Sequence, residues 1–112
     1  MKTSELTEAA LDWAVAMCEE VDVTFYTPKL VATYCEYGRI AWRPSSRWDQ
    51  GGPIIERKRI EIKPTYAGLG AVWAATCVGG FEMYGPTPLI AAMRCLVASK
   101  LGEEVEVPEA LL

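Results

Sequence analysis

Thr87-Pro-Leu-Ile-Ala-Ala-Met-Arg-Cys-Leu-Val-Ala-Ser-Lys-Leu-Gly102 is the stretch on which the fold turns. Thr87 is suited to cap a helix, Pro88 to occupy its first turn, and Gly102 to stand just past its end. Leu89, Met93, Leu96 and Val97, continued by Lys100 or Leu101, mark one face at helical spacing, and Ile90 widens it. Lys100 in the last turn suits the negative end of the helix dipole. Such a stripe must be covered. Just upstream, Ala71-Val-Trp-Ala-Ala-Thr-Cys-Val78 reads as a buried central strand between glycine-containing ends.

A second helix is predicted from about residue 8 to residue 20. Thr7 is a candidate N-cap and Glu8 lies in the first turn, where the dipole favours an anion. Leu11, Ala14, Val15 and Cys18 recur at spacings of three and four, as do Ala10, Trp13 and Met17. Glu19 and Glu20 sit at the unfavourable end, which predicts fraying there. Val21–Tyr26 alternates like a short strand ended by Pro28, and Arg39–Arg43 and Ile60–Ile62 read as further strands. Residues 29–37 fit a strand or a helical stripe equally. Val105–Val107 is expected to add a short edge strand. Together these predict one α+β domain over residues 1–112, a small, mainly antiparallel sheet packed with an N-terminal and a C-terminal helix.

The 112 residues suit one domain. At 12.3 kDa the folded surface should be roughly 6,000 Å², against about 18,000 Å² extended. Histidine is absent, which removes Ser-His and Cys-His pairs and histidine-based zinc sites. Cys18, Cys35, Cys77 and Cys95 form no CxxC pair and have apolar or aromatic neighbours, so they read as small core residues with free thiols. No metal and no cofactor are expected. Trp13, Trp73 and Met93 read as core. The absence of a signal peptide or a long apolar run predicts a cytoplasmic protein with no membrane partner.

The net charge of −4 conceals a division. Residues 1–27 hold one lysine against six acids, and residues 64–112 hold two cations against five acids. Residues 28–63 hold eight of the eleven cations, with Tyr34, Tyr37, Trp42 and Trp48 interleaved. Cations among aromatics suit a protein interface or a nucleic-acid surface, and equally a solvated face paired with the acidic thirds. The overall pI near 4.8 weakens the nucleic-acid reading.

Arg43-Pro-Ser-Ser-Arg-Trp-Asp-Gln-Gly-Gly-Pro53 reads as the clearest loop, with two prolines and two glycines. Pro53 would open a short helical turn through Ile54, Ile55 and Glu56. Gly51 and Gly52 could offer main-chain N–H groups to an anion, Arg43 or Arg47 a bidentate contact, and Trp48 a stacking face. Alternatively Trp48 packs inward, the glycines form a turn and Asp49 caps the next segment. Arg94, among apolar helical neighbours, is expected to pair with Glu56 or Asp49, or else to share an anion site with the loop. Catalysis by paired carboxylates would need Asp49 and Glu56 to converge.

Three blocks stand in order: Glu5-Leu-Thr7 with Ala10-Leu-Asp-Trp-Ala-Val-Ala16; Trp48-Asp-Gln-Gly-Gly-Pro-Ile-Ile-Glu56; and Gly85-Pro-Thr-Pro-Leu-Ile-Ala-Ala-Met-Arg94. The tail continues Val97-Ala-Ser-Lys-Leu-Gly-Glu-Glu-Val-Glu-Val-Pro108. This order resembles the NinX-like family of small phage proteins, over nearly the whole chain. The resemblance implies an early-region accessory protein of tailed phages and prophages, in a family described as of unknown function, so no catalytic residues carry over. Relatives commonly have a Tyr-Ser-x-Ser-Thr-Asp-Trp-like run before the double glycine. Here Trp42-Arg-Pro-Ser-Ser-Arg-Trp48 stands there, with Arg47 where an acid or small polar residue often sits. A site shared with the family would differ in charge preference at this point.

The expected function is therefore non-enzymatic binding of a host or phage protein, with nucleic-acid binding through residues 28–63 as the alternative. The expected surface comprises Arg43, Arg47, Trp48, Asp49, Gln50, Gly51, Gly52, Glu56 and Arg94.

Overall fold

A computed structural model describes residues 1–27, 30–35, 38–67, 70–77, 79–80 and 82–111. A 3-10 turn at Thr3–Glu5 leads to helix α1, Glu8–Glu19. Strands β1 (Val23–Thr27), β2 (Leu30–Cys35) and β3 (Gly38–Ala41) follow. Helix α2 covers Trp48–Lys58, strands β4 (Glu61–Ala67), β5 (Gly70–Thr76) and β6 (Glu82–Gly85) come next, and helix α3 covers Pro88–Leu101. The class is α+β. The strands form two three-stranded antiparallel sheets, ordered β1-β2-β3 and β4-β5-β6, where a single sheet was expected.

α3 carries the signals read from its sequence. Thr87 Oγ1 accepts a hydrogen bond from the Ile90 N–H at 3.1 Å, Pro88 opens the helix, and Gly102 follows it at a positive φ of 90°. Its expected apolar stripe is broader in the structure. Leu89, Ala91, Ala92, Met93, Cys95, Leu96, Val97 and Ala98 are all buried, so nearly the whole circumference is covered, as in a central helix. Lys100 and Leu101, expected to continue the stripe, are exposed. α3 packs against β5 and β6 on one side and against α1 and α2 on others. Met93 is fully buried, and Trp13 and Trp73 pack partly buried against the same core.

Close approach to α3 is set by two glycines. A Cβ on Gly85 would stand 2.7 Å from the Ala91 nitrogen, so β6 can lie against α3 only with glycine there. A Cβ on Gly51 would stand 2.5 Å from the Pro44 carbonyl oxygen and 2.6 Å from Leu89 Cδ2.

Gly51 explains the largest departure from the sequence reading. The expected 43–53 loop shrinks to the turn before Trp48, and Gly51, Gly52 and Pro53 lie inside α2. Pro53 is the sixth residue of that helix rather than the first of a short turn. Glycine and proline disfavour helix, but burying Ile54 and seating Gly51 on Pro44 and Leu89 outweighs that preference.

Smaller departures have local causes. Thr7 holds the N-cap position of α1, but its hydroxyl makes no capping bond. The end of α1 is tied down rather than frayed, because Glu19 is paired with Arg57 and Lys58 of α2. The main-chain N–H of Val21 also closes on the Ala16 carbonyl at 2.9 Å. Residues 105–107 form no strand; the segment is held by an isolated antiparallel bridge between Lys2 and Glu104, and the Val105 N–H donates to the Met1 carbonyl at 2.9 Å. Pro28, Tyr37 and Val78 lie outside the described residues. Residues 30–35, ambiguous in sequence, are strand β2.

Candidate binding surface

The turn before α2 is fastened from below by α1. Asp12, in the middle of α1, is only 4% exposed. Its Oδ1 accepts from the Ser45 N–H at 2.8 Å, and its main-chain carbonyl accepts from Trp42 Nε1 at 3.0 Å. Pro44 and Ser45 are buried with it. Burial pushes the Asp12 carboxyl up to about 6, against the opposing pull of its Ser45 hydrogen bonds and the nearby Arg43 cation.

Gln50 fastens the turn from the other side. Its Oε1 accepts from the Arg43 N–H, and its Nε2 donates to the Ala41 carbonyl, both at 2.6 Å. The Arg43 carbonyl in turn accepts from the Arg47 N–H at 2.8 Å, and the Arg47 carbonyl accepts from the Gly51 N–H at 2.8 Å, starting α2. The Gly51 N–H is thus spent within the helix, and Gly51 itself is buried. Its expected part in an anion-holding glycine turn is replaced by a packing role.

The outer surface of this rigid corner is polar and aromatic. Trp48, at the first position of α2, is 56% exposed, so the inward alternative does not hold. Beside it the Arg47 guanidinium meets the Asp49 carboxylate two-pronged, Nε to Oδ1 at 3.1 Å and Nη2 to Oδ2 at 2.8 Å. Both side chains are largely in solvent, so the pair adds little stability and serves to orient two charged groups. Arg43 and Glu56 are also exposed.

Arg94 does not join this group. Its Nε donates to the Leu6 carbonyl at 2.9 Å and its Nη1 to the Tyr84 carbonyl at 2.8 Å, tying the segment before α1 to β6. The expected ion pair with Asp49 or Glu56 is replaced by two main-chain acceptors, supplied by the segment before α1 and by β6. Arg94 instead borders a shallow groove of about 470 Å³ with Val72, Tyr84 and Pro86.

Asp12, Trp42 and Ser45 were not singled out from sequence as parts of this corner. The available signal was one carboxylate inside Ala9-Ala-Leu-Asp-Trp-Ala-Val15, an apolar run where an acid needs a partner. Among the described residues, no group of three Cys, Asp or Glu side chains is placed to hold a metal ion. No described helix is long and apolar enough to cross a membrane.

Comparison with known families adds the lineage. The family model described as Bacteriophage P22, NinX matches residues 2–100. The chain belongs to the NinX family of phage proteins. The match includes both α1 and α2 and all but the last residue of α3. No curated protein matches this NinX-family chain.

Proposed function

We propose that this NinX-family phage protein is a non-enzymatic accessory protein that acts in the host-cell cytoplasm by binding a host or phage protein. The contact surface is the corner formed by the 42–47 turn and the first turns of α2, with Trp48 and Arg47 as anchors and Arg43, Asp49 and Glu56 around them. The observation that carries this reading is a tryptophan left 56% exposed at the start of a helix whose approach is clamped by Asp12 and Gln50. Tryptophan and arginine are the side chains most enriched at energetic centres of protein interfaces, and a rigid support lowers the entropy lost on binding.

Local charge pairing favours a protein over a nucleic acid. Three cations of the basic middle segment, Arg47, Arg57 and Lys58, already face carboxylates within the chain. That leaves less charge for phosphate neutralisation. The test compares partners captured from infected cells by wild type and by the Arg47→Ala, Trp48→Ala double variant. Loss of a captured protein from the variant supports the surface; an unchanged set of partners contradicts it.

A further inference from the structure

Two residues on the outer face of α2 work against the helix they belong to. Asp49, Gly52, Pro53 and Glu56 stand at helical spacings of three and four and so share one face. None of the four is buried, whereas Gly51 and Ile54 hold the inner face. The fold does not require glycine at position 52. Gly52 lies within the helix without a positive φ, and a Cβ there would meet only Trp48 Cε3, at 3.9 Å. Glycine nevertheless weakens a helix relative to alanine. Pro53 adds a second cost. It has no N–H, so the Asp49 carbonyl, four residues earlier, receives no helical hydrogen bond from it.

Both departures act at one place. The bare backbone at Gly52 lies beside the exposed ring of Trp48, and the carbonyl released by Pro53 belongs to the same outer face. One turn beyond Gly52 stands the exposed Glu56 carboxylate, which enters no ion pair among the described residues. Arg57 and Lys58, next along the helix, are turned to Glu19 of α1. The result is a notch with an aromatic wall, a main-chain acceptor and an uncommitted carboxylate.

All three features attract a flat, positively charged hydrogen-bond donor. A guanidinium stacks on an indole ring and presents several N–H groups in a fixed fork, so it can meet a carbonyl and a carboxylate together. An acidic side chain would find only acceptors here. We propose that the notch at Gly52 receives an arginine side chain of the partner protein. This rests on the reading of the Trp48 corner as the contact surface and specifies the chemistry of what docks there. Gly52 is then a specificity residue, since a methyl group at 52 would fill the space beside the indole.

The test is an NMR titration of the folded, full-length chain with a blocked alanine-arginine-alanine peptide. The same peptide carrying glutamate in place of arginine is the control. The arginine peptide is expected to shift the Trp48 indole N–H and the main-chain signals of Gly52 and Glu56 saturably, and the glutamate peptide to leave them unmoved. Gly52→Ala, which favours the helix, should weaken arginine-peptide binding about fivefold without loss of fold. Glu56→Gln should weaken it about threefold, more at low salt than at high salt. Signals unmoved by the arginine peptide, equal binding of the glutamate peptide, or wild-type binding by Gly52→Ala would overturn the proposal. Partner capture separates the two readings. A partner lost from the Arg47→Ala, Trp48→Ala variant but kept by Gly52→Ala leaves the corner standing and overturns the notch. A partner set unchanged in the double variant overturns the corner, and the notch with it.

Discussion

The main-chain N–H of Ser45 donates to the carboxylate of Asp12 across 2.8 Å, joining the turn before α2 to the middle of α1. An anion buried to 4% exposure is thereby spent on holding a turn. Its burial has a consequence for stability.

The Asp12 carboxyl titrates at about 6 in the folded chain against 3.8 for the ordinary group. Because the folded state holds its proton more tightly, stability falls as pH rises from about 3.8 and the loss is complete above about 6. The cost at neutral pH is on the order of 3 kcal/mol. Asp12→Asn removes this titration and retains an acceptor for Ser45. Denaturant unfolding of both proteins at pH 4 and pH 7.5 should show the variant gaining on wild type at the higher pH. A pH-independent difference would contradict this account of Asp12.

The two glycines of α2 should respond oppositely to alanine. At Gly51 the new methyl would collide with the Pro44 carbonyl and Leu89, so Gly51→Ala should destabilise by about 1–3 kcal/mol. At Gly52 the nearest atom is Trp48 Cε3 at 3.9 Å, an ordinary contact. Gly52→Ala should therefore stabilise by about 0.5–1 kcal/mol through helix propensity. Thermal or denaturant melts check both, and equal effects would count against helical placement of the pair.

That contrast shows why α2 was hidden in the sequence while α3 was legible. Thr87, Pro88 and Gly102 punctuate α3 by local chemistry, which requires no knowledge of the rest of the chain. Gly-Gly-Pro at 51–53 signals a break locally, yet its first glycine serves a contact with residues 44 and 89, far away in sequence. β6 escaped notice for a similar reason, as Gly85 answers to Ala91 rather than to strand propensity. The division into two sheets rests on strand pairing, on which alternation within each strand is silent. At the candidate surface, the neighbours Arg47, Trp48, Asp49 and Gln50 were grouped by adjacency. Asp12, lying 33 residues from Ser45, was not grouped with them, and Arg94 was assigned a carboxylate where the fold supplies two carbonyls.

Arg94→Met should act on stability and leave the binding surface intact. It strips donors from the Leu6 and Tyr84 carbonyls, at a cost of about 1–3 kcal/mol. Unfolding curves measure the loss, and partner capture at a temperature where the variant is folded should match wild type. A lost partner with unchanged stability would place Arg94 in the binding surface instead.

Glu19→Gln removes the carboxylate that faces Arg57 and Lys58. Arg57 is well exposed but the Glu19 side chain is only 9% exposed, so the expected loss lies above that of a surface pair, about 1–2 kcal/mol, and should shrink in part as salt is raised. A salt series of denaturation midpoints checks this. A loss of several kcal/mol, insensitive to salt, would contradict a solvent-screened pair.

The claim that Trp48 is the centre of a protein-binding surface is tested most directly by photo-crosslinking in infected cells. A photo-reactive phenylalanine is placed at position 48, with the same residue at position 66 as a control, since Tyr66 is also highly exposed. Position 48 is expected to give a discrete protein adduct that position 66 does not, and Arg47→Ala in the same chain should diminish it. Identical products at both positions, or adducts to nucleic acid at position 48, would contradict the claim.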